Sequence, residues 1–257
     1  MKTFKSWTDY RTFSFNVRRN NRYIYNQATE AFLEAVIDTS KKREASILKG
    51  AVLYRAQCGC ERRPVYDDAG SEIGDEEWPY AEDRMVPVKG NSFEGRANPR
   101  GITYLYLSND KNTACAEVRP WKGVCISVAQ FLVKRDLKVI DCSKIPGRTP
   151  VFLEEPDPET MERRVWADIN MAFSEPVSPH DPETEYIPTQ IVAEGFRETG
   201  FDGVAYKSSY EAGLNIVLFD LEAVEMLNCS LSKVKDMKFD FDHMNKGFSC
   251  RKGKKTS

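Results

Sequence analysis

Residues 95–121 read GRANPRGITYLYLSNDKNTACAEVRPW: a Gly- and Pro-bounded loop, a strand-like run and a short helical stretch in immediate succession. In ITYLYLS the two-residue period of an extended chain puts Ile102, Tyr104, Tyr106 and Ser108 on one face, with Thr103, Leu105 and Leu107 on the other. Two tyrosines thus share a face opposite two leucines. Tyrosine is a good strand residue, so amphipathic filling is the bland reading of the pair; the flanks argue for more. The loop before it carries Arg96, Asn98 and Arg100, and the helical stretch after it holds Glu117. Glu117 stands among Ala114, Cys115, Ala116 and Val118, all small or apolar. It also falls near the helix end, where the macrodipole disfavours a negative charge unless a cation or hydroxyl is bound. A salt bridge to Arg119 or Arg55 is the competing structural explanation.

Working outward, AVLYRA, GVCISVAQFLV, LKVIDC, FDGVAYKSS and LNIVLFD are further short runs suited to strands. Between them Asp157 is placed as an N-cap with Pro158 at the first helical position, followed by Met161, Val165, Trp166, Ile169 and Phe173 at helical spacing. A second helix is predicted over about 189–199, closing at Gly200. Ahead of the strands, Ala28, Phe32, Leu33, Val36 and Ile37 recur at helical spacing behind a candidate N-cap, Asn26. Strands outnumber helices and few βαβ alternations occur, which predicts an α+β fold rather than a doubly wound parallel sheet. The organisation expected is an N-terminal helical extension over 1–47, a catalytic domain over 48–230 and a C-terminal segment over 231–257 with a mobile basic tail from Lys246. Residues 61–90, rich in Asp and Glu, read as a long solvated loop with the length of a lid.

Two other strand runs hold groups of interest. Arg55 alternates against Val52, Tyr54 and Ala56, and a guanidinium on a core strand serves a fixed anion or a structural carboxylate. In FDGVAYKSS the face Val204, Tyr206, Ser208 ends in a hydroxyl that by spacing alone could merely mark the strand's end.

Composition removes several classes of function. Lys and Arg total 37 against 39 Asp and Glu, a formal charge of −2, without the basicity that binding a phosphate backbone requires. No run reaches the length of a membrane span and the start is not a signal segment, so a cytoplasmic location is expected. Seven cysteines at irregular spacing argue against a disulfide framework. Cys58 and Cys60 form a lone CxC, and with His180 and His243 far off no four-ligand zinc site is expected. Two histidines also leave little for His-based nucleophilic catalysis.

Taken together, YRA with Arg55, the 95–121 block with Tyr106 and Glu117, YIPTQIVAE, and GFDGVAYKSSYEAGLNIVLF with Ser208 resemble the RES domain family, named for an arginine, a glutamate and a serine in that order. The similarity runs from about residue 48 to 225. It implies a fold like that of ADP-ribosyltransferase toxins, with NAD as substrate and no separate cofactor, and commonly a bacterial toxin whose partner is a helix-turn-helix antitoxin. Carried over, Arg55 binds the phosphates or the nicotinamide ribose, Tyr106 stacks on nicotinamide, Glu117 holds a ribose hydroxyl and Ser208 completes the pocket. Arg96, Asn98, Tyr104 and Ser209 count as further contacts to the dinucleotide, Ser209 being adjacent to Ser208 but on the opposite face. Breaking the nicotinamide–ribose bond develops positive charge on the sugar, which a carboxylate and an aromatic face stabilise without a strong nucleophile. The expected activity is that of an NAD phosphorylase or glycohydrolase. Because the arginine-bearing loop leads into the Tyr106 strand, inorganic phosphate is the favoured acceptor, with Arg96, Ser208 and Ser209 as its seat. A protein ADP-ribosyltransferase and a catalytically silent binding scaffold are the alternatives.

Overall fold

The structure is a computed structural model that describes residues 2–144, 152–176, 183–238 and 241. His180, His243 and the basic tail from Lys246 lie outside the described residues. Ten strands are formed: β1 (Glu44–Ile47), β2 (Val52–Cys58), β3 (Glu61–Tyr66), β4 (Glu72–Trp78), β5 (Leu105–Ser108), β6 (Cys125–Val133), β7 (Leu137–Asp141), β8 (Gly203–Lys207), β9 (Leu214–Leu218) and β10 (Val224–Lys233). The helices are α1 (Asp9–Arg19), α2 (Gln27–Ser40), α3 (Glu82–Met85), α4 (Lys111–Glu117), α5 (Pro158–Ser174) and α6 (Ile187–Glu198).

Eight strands make one sheet in the order β1-β7-β8-β9-β5-β2-β6-β10. Only β7 and β8 pair in parallel, joined by the long connection through α5 and α6 that parallel neighbours require; the other neighbours are antiparallel. This is the α+β class expected. Each strand-like run of the sequence is a strand of this sheet, and the caps behave as their chemistry requires: Asn26 accepts from Thr29 N at 2.9 Å, and Asp157 accepts from Glu159 N and Thr160 N at 3.1 Å. Gly200 closes α6 with φ 88°, a conformation that L side chains rarely adopt.

The alternation in ITYLYLS separates two cores. Tyr104 is buried with α1, α2, α5 and α6 on one side of the sheet, where Tyr106 also packs, while Leu105 and Leu107 join Leu53, Phe131, Ile216 and Met85 on the other. On the helical side Trp166 is fully buried, donates from Nε1 to Thr39 Oγ1 at 3.0 Å, and has the Arg43 guanidinium 4.4 Å from its ring centre. The N-terminal helices therefore share the core of the sheet domain. Among the described residues no helix is long and apolar enough to cross a membrane.

Five elements are not predicted by the sequence pattern: β1, β3, β4, α3 and β10. Residues 61–90 are not an unstructured loop: they contain the hairpin β3–β4 and the short α3. The hairpin is almost wholly exposed, so it has no apolar alternation to betray it. The backbone ladder holds it, with Arg62 opposite Glu77 and Arg63 opposite Glu76 in register, while the Arg63 guanidinium pairs with Glu61 on its own strand and lies 4.6 Å from the ring centre of Trp78 across the hairpin. The edge strands β1 and β10 were missed for a related reason: much of each faces solvent.

Candidate active site

Four adjacent strands, β2, β5, β9 and β8, set out the site. In the register Tyr54 faces Ser108, Ser108 faces Asn215, and Asn215 faces Tyr206, and directly opposed residues share a face. A row of polar and aromatic side chains thus crosses the sheet from β2 to β8 and floors a cleft of about 360 Å³. Arg55, Arg96, Tyr106, Glu117 and Tyr186 complete the lining. Arg55 and Tyr106 also border an adjoining lobe of about 460 Å³, walled by residues 83–93. Both volumes fall in the range of small-molecule sites.

Glu117 is the last residue of α4, a helix started by Asp110, whose carboxylate accepts from Asn112 N at 2.8 Å and Thr113 N at 3.1 Å. Its Oε1 accepts two short hydrogen bonds of 2.6 Å, from Ser208 Oγ and from Asn215 Nδ2. The hydroxyl required at that helix end is therefore Ser208. The amide of Asn215 is in turn fixed through Oδ1, which lies 3.2 Å from Ser108 Oγ. Among the described residues no cation pairs with Glu117, and the salt-bridge alternative falls: Arg119 lies 5.3 Å from the ring centre of Tyr210 instead.

Ser208 is locked as firmly as the carboxylate. Its Oγ accepts from Tyr210 N at 3.1 Å and Glu211 N at 3.2 Å while donating to Glu117. The turn needs Gly213, since a Cβ there would come within 2.3 Å of Thr113 Oγ1 and Asp110 Oδ2. Ser209 points elsewhere and donates to Ser174 O on α5 at 2.7 Å. Ser208, not its neighbour, belongs to the carboxylate.

Arg55 has no carboxylate partner among the described residues. Its one hydrogen bond there is long, from Nη1 to Tyr106 O at 3.5 Å, and its buried Nε has no partner. Burial pulls its pKa below the ordinary arginine value, only partly opposed by nearby Tyr106. A half-buried, unpaired guanidinium in a cleft is costly in isolation, a cost that an anion at its fork would offset.

The GRANPRG loop forms the cleft's wall and is itself heavily braced. Asn98 is buried; its Nδ2 donates to Phe93 O, Pro99 O and Ile102 O, and its Oδ1 accepts from Tyr106 Oη at 2.7 Å. Tyr106 Oη also accepts from Ala97 N at 3.0 Å, and burial raises its pKa. Gln190, from YIPTQIVAE, donates from α6 to Gly95 O and Asn98 O. Any Cβ at residue 95 would lie 2.6 Å from Tyr106 Oη, which explains the glycine. Asn98 and Tyr104 border the adjoining lobe. Asn98 organises the loop with its amide fully engaged, and the Tyr104 ring is buried against Phe219 at 4.8 Å. Arg96 does reach the cleft, 6.0 Å from the ring centre of Tyr186.

Asn215, Ser108, Tyr54 and Gln190 were not singled out from the sequence. Asn215 interrupts the apolar run LNIVLF, a signal of the same kind as Glu117 in ACAEV, but its partners become visible only through the strand register.

A mixed sheet with a cleft floored by tyrosines, in which a hydroxyl- and amide-held carboxylate and an unpaired guanidinium stand apart, defines a class of small-molecule site. The sequence profile of the RES domain matches residues 72–242, and the chain belongs to that family. Arg55 precedes the matched segment but lies on β2, hydrogen-bonded within the same sheet. No curated protein matches the chain. Among solved structures it is similar to a chain of the crystal structure of the M. tuberculosis MbcT–MbcA toxin–antitoxin complex, at 13% identity over 77% of this chain and 92% of that one, with a TM-score of 0.41.

Proposed function

We propose that this cleft binds NAD and breaks the bond between nicotinamide and ribose. One observation carries the reading: a carboxylate and a guanidinium line one tyrosine-walled cleft without pairing with each other or, among the described residues, with any opposite charge. The guanidinium suits a substrate's anionic part and the carboxylate suits a centre where positive charge develops. NAD carries both, in its diphosphate and its nicotinamide ribose.

As the C1′–N1 bond breaks, its electron pair moves to the pyridinium nitrogen, nicotinamide leaves neutral, and C1′ becomes an oxocarbenium-like centre. Glu117 holds the ribose hydroxyl and stabilises that charge; both protein hydrogen bonds fall on Oε1, so Oε2 is the oxygen for the sugar. Tyr106 offers its ring to nicotinamide while its hydroxyl is engaged with the loop. Ser208 acts through Glu117 and is a positioning residue. The cation is then captured by an oxygen of inorganic phosphate, giving ADP-ribose 1-phosphate, or by water, which loses a proton and gives ADP-ribose.

Phosphate is the acceptor we favour, but its seat is smaller than the sequence suggested. Ser209 faces α5 and the Ser208 hydroxyl is engaged, which leaves Arg96 as the cation beside the cleft. The test is NAD consumption with and without inorganic phosphate, resolving ADP-ribose from its 1-phosphate. Phosphate-dependent formation of the 1-phosphate supports phosphorolysis; ADP-ribose alone at a phosphate-independent rate replaces it with hydrolysis. Labelled protein in a lysate would move the function to ADP-ribosyl transfer, and no nicotinamide release at all would overturn the reading. RES membership further supports a toxin role with a separately encoded helix-turn-helix antitoxin as partner, checked by co-expression rescue of growth.

A further inference from the structure

Away from the cleft, at the base of the β3–β4 hairpin, a second group of chemically competent side chains meets. Gly59, at φ 107°, turns the chain at the end of β2, and Cys58 and Cys60 part there. Cys58 Sγ lies 3.5 Å from Val118 O, beyond α4. Cys60 instead joins Cys125, the first residue of β6, and Glu77 of β4: the two sulfurs and a carboxylate oxygen all lie within 4.8 Å of one another. The backbone around them is fixed. Gly59 N donates to Cys125 O at 2.7 Å, Ser127 Oγ donates to Gly59 O at 2.9 Å, and Glu61 pairs with Trp78 to close the hairpin.

We propose that Cys60, Cys125 and Glu77 form a binding site for a thiophilic divalent cation, with zinc as the best match to the donor set. Zinc takes thiolate and carboxylate ligands at roughly 2.3 Å and 2.0–2.2 Å, which sets tetrahedral ligand atoms roughly 3.5–3.8 Å apart. Binding would draw the three ligand atoms in from the observed spread. Cys125 Sγ donates to Glu77 Oε2 at 3.2 Å, so a proton now lies where a cation would be shared. Binding releases both thiol protons to solvent. Two thiolates and a carboxylate around a dication carry one net negative charge, and Lys233, which faces Cys125 in the sheet and lies 4.0 Å from the Glu77 carboxylate, is placed to balance it. Because Glu77 is exposed, the fourth position opens to water.

The site would clamp the hairpin to the sheet. The chain leaving β4 is already tied down by Tyr80 N, which donates to Ser127 Oγ at 3.0 Å, and it runs on to Asp83, Arg84 and Val86 in the wall of the cleft's second lobe. The lone CxC was half of the answer, since the other ligands come from strands that only the fold brings near.

The experiment is titration of the full, reduced chain with zinc against a chromophoric chelator, with cobalt(II) and cadmium as optical probes of sulfur ligation. One cation per chain with a thiolate charge-transfer band is expected. Cys60→Ser and Glu77→Gln, neither at a buried position, should each weaken binding roughly tenfold to a hundredfold with unchanged circular dichroism. Cys58→Ser should leave it intact. Absence of stoichiometric binding overturns the proposal, as does an affinity unchanged by Cys60→Ser or lost on Cys250→Ser or His243→Ala.

Discussion

Glu117 is held by two hydrogen bonds that an amide oxygen accepts as well as a carboxylate does. Glu117→Gln should therefore fold as the parent does while losing the charge that faces the ribose. Turnover of NAD, read as nicotinamide release, should fall about a hundredfold, equivalent to roughly 3 kcal/mol, with an unchanged melting temperature. A variant of parental rate removes Glu117 from the mechanism. Arg55→Lys tests the other charge: an ammonium cannot reproduce the planar fork of a guanidinium. Calorimetry with an unreactive NAD analogue should show weaker binding, and unchanged affinity would return Arg55 to a structural role. Asn215→Ala separates positioning from contact. It leaves Glu117 charged but removes one of its tethers and strands Ser108, so kcat should fall while KM changes little. At this scale the site was legible where a polar group broke an apolar segment whose neighbours were already suspect, as at Glu117, Arg55 and Ser208. It was illegible where the meaning lay across the sheet. The break that Asn215 makes in LNIVLF is local, but its partners are not; its register against Ser108 and Tyr206 supplies them.

At the scale of elements, α4 is seven residues long, far below the length at which a helix holds in isolation. Its Asp110 cap therefore controls where Glu117 stands. The Thr113 hydroxyl, foremost, and the backbone N–H groups of Thr113 and Asn112 hold the Asp110 carboxyl below its ordinary pKa. A group whose folded value is lowered contributes stability above its unfolded value, and loses it as pH falls through the folded one. The capping contribution should thus fade below about pH 4. Asp110→Ala should cost about 1 kcal/mol near neutrality and reduce turnover by misplacing Glu117. Melting curves of parent and variant should converge in acid; a gap that persists there would mean the cap acts through something other than its charge. Elements that bury a face announced themselves in the sequence, α5 through Asp157-Pro158 and the apolar period behind it. The β3–β4 hairpin buries almost nothing, so its acidic composition suggested a loop, and only the backbone ladder, with Arg62 and Arg63 opposite Glu77 and Glu76, reveals the pairing.

For the whole molecule, the near-neutral balance of 37 basic and 39 acidic residues hides a local asymmetry: the unpaired Arg55 guanidinium, with Arg96 nearby, inside a fold held by many surface ion pairs. An unpaired cation kept half-buried destabilises the free protein, because burial opposes its charge without a partner to compensate. An anionic ligand that binds there relieves that cost, which tightens its binding and so stabilises the fold by mass action. At a hundred times its dissociation constant a ligand contributes about 2.7 kcal/mol, which for a domain of this size is a rise of roughly 5–10 °C in melting temperature. A nonhydrolysable NAD analogue should give a shift of that order with the parent chain, and nicotinamide riboside, which lacks the diphosphate, should give much less at matched concentration. With Arg55→Lys the difference between the two ligands should shrink, because the fork that distinguishes them is gone. Equal shifts from both ligands would place the diphosphate outside the cleft and leave Arg55 serving the ribose alone.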